Sequence, residues 1–154
     1  MLKSVHSGGQ TGIDYLGLIC AKQCGITTGG FAPKSYRTEN GSDYNLKNFG
    51  LIEDTSFYYS SRTEKNVITT DATILFGDMN SSGSKETIKY LKKHNKPYKE
   101  NPTSEEMFNF ILDKNIQIIN IAGNRGSKLS NEDILKYSTV MIECFKKINS
   151  LIQI

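Results

Sequence analysis

Two hydrophobic rhythms alternate along the chain from one end to the other. Residues 1–6 form a short apolar run that suits a strand and leads straight into Ser7-Gly8-Gly9-Gln10-Thr11-Gly12. From Thr11 the period becomes helical, with Ile13, Leu16, Leu18, Ile19 and Ala21 along one side and Gly25 as the C-terminal stop. Residues 26–31 read as a second strand, interrupted by Gly29-Gly30 and ended by Pro33. Residues 32–58 then carry few periodic apolar positions and many Asn, Ser, Gly and Asp. An irregular segment of that length in a compact domain usually serves as a binding loop or lid.

The rhythm resumes with a short helix over 62–70 that feeds the apolar run 72–77, Ala-Thr-Ile-Leu-Phe-Gly. Continuous apolar runs are expected of parallel strands covered on both faces. A polar turn over 78–84 precedes a helix over 84–94 with Ile88 and Leu91 on its buried side. Residues 96–99 form a brief strand whose Pro97 favours an edge or a strand start. Thr103-Ser104-Glu105-Glu106 carries helix N-cap chemistry, and that helix runs to about Lys114. Residues 116–122 are the last strand, followed by Gly123-Asn124-Arg125-Gly126-Ser127-Lys128 and a long helix, capped by Asn131, to about Ser150. Alternating strands and helices imply right-handed crossovers and an α/β domain with a mostly parallel sheet. No repeat, linker or composition shift divides residues 1–154, so one domain is expected.

Composition narrows the picture only slightly. A net charge of +3, with 23% charged and 37% hydrophobic residues, describes an ordinary globular chain and no dedicated nucleic-acid binder. No run approaches the roughly 20 apolar residues of a membrane span, and no signal-peptide pattern opens the chain, so a cytoplasmic, membrane-free protein is expected. Cys20, Cys24 and Cys144 are an odd set of thiols. They read as buried small hydrophobes, although Cys20 and Cys24 share a helix face at a spacing two metal ligands would also use.

Glycine-rich turns follow three of the strands, and in an open parallel sheet all three fall at the carboxyl edge where ligands bind. In the first, Gly8 and Gly9 permit positive φ and close approach of a ligand, and a helix start offers unpaired N–H groups. The Ser7 and Thr11 hydroxyls add donors. The spacing matches neither the Walker A loop nor the G-x-G-x-x-G dinucleotide fingerprint. The second turn places Gly83 and Ser84 at a helix N-terminus, with Glu86 in the first turn either as an acid/base or as a complement to the helix dipole. The third brings Arg125 and Lys128, suited to phosphate or carboxylate contacts or to plain solvation. Lys34, Tyr36 and Arg37 are placed to clamp a planar ring and its phosphate. Arg62 opposes the dipole at a helix start, which favours an ion pair or a ligand role. His6 ends the first strand as either a structural or a functional histidine. Together these turns point to an anion and leave any reaction open, and no Ser, Cys or metal-based catalytic set is present.

Taken together, several motifs resemble the molybdenum carrier family, the molybdenum-cofactor carrier proteins. They are residues 7–14 (Ser-Gly-Gly-Gln-Thr-Gly-Ile-Asp), Thr28-Gly29-Gly30-Phe31-Ala32-Pro33-Lys34, Tyr59, Arg62-Thr63-Glu64-Lys65-Asn66-Val67, Asp71, Gly83-Ser84 with Thr87, and residues 120–128. The resemblance runs from residue 4 to about 135. It implies a Rossmann-like three-layer domain related to the lonely-guy and lysine-decarboxylase-like superfamily. It also implies a homo-oligomer, dimer or tetramer, that holds molybdenum cofactor (molybdopterin) and hands it to a molybdoenzyme acceptor. On this reading Ser7, Gly8, Gly9, Gln10, Thr11, Gly12, Lys34, Arg37, Arg62, Gly83, Ser84, Thr87, Gly123, Arg125, Ser127 and Lys128 hold the cofactor, and the protein contributes no metal ligand. A nucleotide or free phosphate is the alternative occupant. Asp14 and Glu86 are then the acid/base candidates of a phosphoribohydrolase-like enzyme, though the family motif Gly-Gly-x-Gly-Thr-x-x-Glu is not reproduced here. A nucleotide-sensing domain without turnover is the third reading.

Overall fold

The structure, a computed structural model, describes residues 1–151. The chain begins β1 (Ser4–His6), α1 (Ile13–Gln23) and β2 (Thr27–Ala32). A small antiparallel hairpin follows, β3 (Arg37–Thr38) with β4 (Gly41–Ser42), and then β5 (Leu51–Glu53). The remainder alternates regularly: α2 (Tyr59–Thr69), β6 (Ala72–Phe76), α3 (Ser82–Lys93), β7 (Tyr98–Glu100), α4 (Ser104–Asp113), β8 (Ile118–Gly123) and α5 (Asn131–Ser150). The main sheet has six strands in the order β5-β2-β1-β8-β6-β7, and every pairing in it is parallel.

Sheet burial follows from the apolar runs. All five residues of β6 are buried, and their side chains divide between the two faces. Ala72, Ile74 and Phe76 join Ile119, Ile121, Met107, Met141 and Phe145 in the larger core under α1, α4 and α5. Leu75 instead joins Val67, Tyr90 and Leu91 under α2 and α3. The result is three layers, a Rossmann-like arrangement. Among the described residues no helix is long and apolar enough to cross a membrane.

The structure departs from the sequence reading in three places. Residues 32–58 are not irregular throughout. Tyr36, Leu46, Phe49 and Leu51 pack with Leu18 and Ala32 into a core of their own, and β5 adds an edge strand. Only Leu51 of that strand is buried, so no alternation marked it. Second, α2 begins at Tyr59 and not at 62, with the Thr63 hydroxyl donating to the Tyr59 carbonyl and no side-chain cap to signal the start. Third, α5 is capped by Ser130, and Asp133 completes a capping box; Asn131 is its first residue.

From β1 the chain moves through α1 to β2, and from β6 through α3 to β7, in opposite directions and on opposite faces. The carboxyl ends of β1, β8 and β6 therefore part around a crevice.

Candidate functional site

That crevice holds a cavity of about 1000 Å³, at the upper end of small-molecule sites. Its walls are the loops after β1, β6 and β8, the N-terminal turn of α2, and Arg37 from the base of the hairpin.

The loop after β1 is built around the chain's own side chains. A Cβ on Gly8 would lie 2.5 Å from Arg62 Nη1, so the missing side chain makes room for that guanidinium. Gly9, at φ +73°, clears Leu46 and Leu51, and Gly12, at φ +84°, clears the backbone of Asn124 to Gly126. Several of the loop's donors are likewise committed. Gln10 N–H donates to Asp14 Oδ2 at 3.4 Å, Gly9 N–H to Ser7 Oγ at 3.3 Å and Thr11 N–H to Gln10 Oε1 at 3.0 Å. Ile13 N–H reaches the Asn124 carbonyl at 3.1 Å. The carboxyl group this loop holds is the chain's own Asp14, with Arg62 Nη1 3.8 Å away. Burial raises the Asp14 pKa, against the pull of Arg62 and of the Gln10, Gly8 and Gly123 amides. Of the first turn only Gln10 lines the cavity; Ser7, Gly8 and Gly9 are buried, and the half-buried Thr11 and Gly12 lie against the turn after β8.

The second and third turns are more open. Asn124 pins them together: its side-chain amide donates to the Asp78 carbonyl at 3.0 Å and to Ser81 Oγ at 2.9 Å, and its Oδ1 accepts from Asp78 N–H at 2.6 Å. Ser81 caps α3 by accepting from Ser84 N–H. The amides of Ser82 and Gly83, ahead of that capped donor, have no partner within the helix and lie in the cavity wall. A Cβ on Gly83 would meet open space. Thr87, which donates to the Gly83 carbonyl at 3.0 Å, and Glu86 stand one turn deeper in the same wall, with Gly123 and Ala122 beside them. Ser84 is buried behind this wall, Lys34 is exposed outside it, and Ser127 turns toward Glu39.

The four cavity cations differ in what they already do. Arg37 lies between the rings of Phe57 and Tyr59, at 4.6 and 4.4 Å, and donates to the Phe57 carbonyl. Arg62 donates to Thr63 Oγ1 at 2.9 Å, faces Asp14, and keeps a buried Nε without a partner. Arg125 and Lys128 make no side-chain hydrogen bond or ion pair with any described residue and line the cavity. Tyr58, 75% exposed, and Tyr59 add aromatic surface at the mouth. These tyrosines, with Ser60, Thr63, Asp78, Ser81, Ser82 and Asn124, went unselected from sequence as site residues. Ser81, Ser82 and Asn124 sat within turns already recognised, whereas Tyr58 lay in the segment read as irregular.

His6 stays out of the cavity wall, and burial lowers its pKa from 6.5. A buried base that resists protonation favours unfolding as pH falls below the unfolded value of about 6.5, until the folded form protonates too. Thermal unfolding should show a lower midpoint at pH 5.5 than at 7.5, with part of that decline lost in His6→Gln. An undiminished decline in the variant would assign the effect elsewhere. Cys20 and Cys144 are free and buried, their thiols pushed up to about 12 by desolvation, as inert core thiols should be.

A model of the circularly permuted YpsA SLOG family matches residues 5–145. The crystal structure of a Syntrophus aciditrophicus SB protein designated "Putative molybdenum carrier protein" is similar at a TM-score of 0.79 and 30% sequence identity, covering 94% of each chain. No curated protein matches the chain significantly.

Proposed function

The chain belongs to the circularly permuted YpsA SLOG family, and on that premise we propose that it binds and carries a phosphorylated, ring-bearing small molecule, molybdenum cofactor foremost. One observation supports this most: Arg125 and Lys128 line the cavity with no side-chain hydrogen bond or ion pair to any described residue, in the same cavity as the unpaired amides of Ser82 and Gly83. Two free cations and two free N–H groups suit a phosphate, since charge-assisted bonds are the strong ones. Tyr58, exposed at the mouth, offers a face on which a pterin can stack. No cysteine or histidine lines the cavity, so a molybdenum atom would keep the cofactor's own dithiolene sulfurs as ligands. The cargo is released intact on this reading, and the protein's part is to hold and shelter it.

Glu86 supports a second reading. It lines the cavity without a hydrogen bond or ion pair to any described residue. In an enzyme acting on a nucleotide, such a carboxylate would assist cleavage of the N-glycosidic bond.

The deciding experiment is native mass spectrometry and pterin fluorescence of protein purified from a host overproducing molybdenum cofactor. The expected result is a bound pterin phosphate that denaturation releases. Pterin-free protein from such a host sinks the carrier reading. Free base released from nucleoside monophosphates, and lost in Glu86→Gln, supports the second.

A further inference from the structure

Glu39 sits at the tip of the β3–β4 hairpin, on residues that sequence analysis had reserved for a ligand. Its carboxylate accepts from Ser127 Oγ at 2.6 Å, from Ser127 N–H at 3.1 Å and from the Thr11 hydroxyl. Thr11 Oγ1 in turn accepts from Gly126 N–H at 3.0 Å. The Glu39 N–H donates to Gln10 Oε1 at 2.9 Å, the same oxygen that receives Thr11 N–H. An N–H and two hydroxyls converging on one carboxylate form a seat of the kind a phosphate oxygen takes. The Ser127 and Thr11 hydroxyls, chiefly, hold the Glu39 pKa below the usual glutamate range, with Arg125 adding attraction. The seat is therefore filled by a carboxylate whose charged form its neighbours favour.

This seat adjoins the cavity. Gln10 and Arg125 belong both to the cavity wall and to the surroundings of Glu39. The hairpin carrying Glu39 is also stiff. Arg37 at its base is clasped by Phe57 and Tyr59, and Thr38 Oγ1 closes the turn by donating to the Gly41 carbonyl at 2.7 Å and accepting from Asn40 N–H.

We propose that Glu39 sets the charge limit of the ligand, filling the place of a second phosphate so that the cavity takes a monophosphate and turns away a diphosphate. The inference rests on the phosphate reading above and adds the class of phosphate. A ligand's first phosphate engages Arg125 and Lys128; a second, reaching toward Thr11 and Ser127, meets an ionised carboxylate on donors it would need. Like charges brought together at a binding surface lose affinity and so exclude wrong partners.

Calorimetric titration with GMP and GDP tests this, with inorganic phosphate and pyrophosphate as the ring-free pair. GMP should bind the intact protein about tenfold more tightly than GDP, and Glu39→Gln should narrow that ratio by about tenfold. A merely structural anchor would change both affinities alike and leave the ratio where it was. The proposal is overturned if the intact protein binds GDP as tightly as GMP, or if Glu39→Gln folds and leaves the ratio unchanged. The intact-protein ratio stands as a test even if the variant does not fold. Failure of all four probes to bind would overturn the phosphate reading as well, whereas GMP binding without discrimination overturns only this step.

Discussion

Arg125→Ala is expected to weaken a phosphorylated ligand by about 10- to 100-fold while leaving the fold intact. A hydrogen bond to a charged group contributes about 1.5–3 kcal/mol, and each 1.4 kcal/mol is a tenfold change in affinity. Arg125 makes no side-chain hydrogen bond or ion pair with a described residue, so its removal strips only a longer-range attraction to Glu39 and leaves no buried charge behind. Arg62 offers the contrast. It is the cation beside buried Asp14, and Arg62→Ala would leave that carboxylate without its counter-charge. Loss of binding in Arg62→Ala would therefore mix recognition with misfolding, which Arg125→Ala avoids. Titration of GMP into the two proteins, with thermal unfolding as a control, reads the difference. An Arg125→Ala protein that binds GMP as tightly as the parent removes this residue from the site.

A large stability effect is expected at Gly12. Its φ of +84° lies where side chains rarely go, and a Cβ there would stand 2.4 Å from the Asn124 carbonyl oxygen and 2.5 Å from Gly126 N. Both neighbours are backbone, so neither can rotate away. Strained φ costs about 1–2 kcal/mol and overpacking about 1–3 kcal/mol, giving roughly 3 kcal/mol or more for Gly12→Ala. At this chain length that corresponds to a midpoint lower by about 6–12 °C. Two other glycines separate the causes. Gly25, at φ +71° with nothing near its Cβ position, should show only the strain, and Gly83, with open space and no unusual φ, should show almost none. Equal losses at Gly12 and Gly25 would mean that contact with the turn after β8 contributes nothing.

Those glycines also show how far the sequence could be read. That the three turns lie at strand ends on one sheet edge was legible, because strand and helix periods are local properties of the chain. The fate of each turn was not. Gly8 and Gly9 look the same whether the space they leave is for a phosphate or for Arg62, Leu46 and Leu51. Thr11 and Ser127 read as donors for a ligand, and in the structure both donate to Glu39. β5 escaped notice because an edge strand with one buried residue has no rhythm to detect.

By itself, then, the sequence determined the α/β class, the alternation that makes the main sheet parallel, and the glycine turns gathered where its strands end. Each is written in residues close along the chain. Only the tertiary structure decided which polar groups are consumed internally and which are left without a partner among the described residues. Asp14 takes the amides of the first turn, Glu39 takes Thr11 and Ser127, and Arg125, Lys128, Ser82 and Gly83 remain. A donor or a cation is satisfied by whatever charge folding brings within about 3 Å of it, and that partner comes from distant parts of the chain.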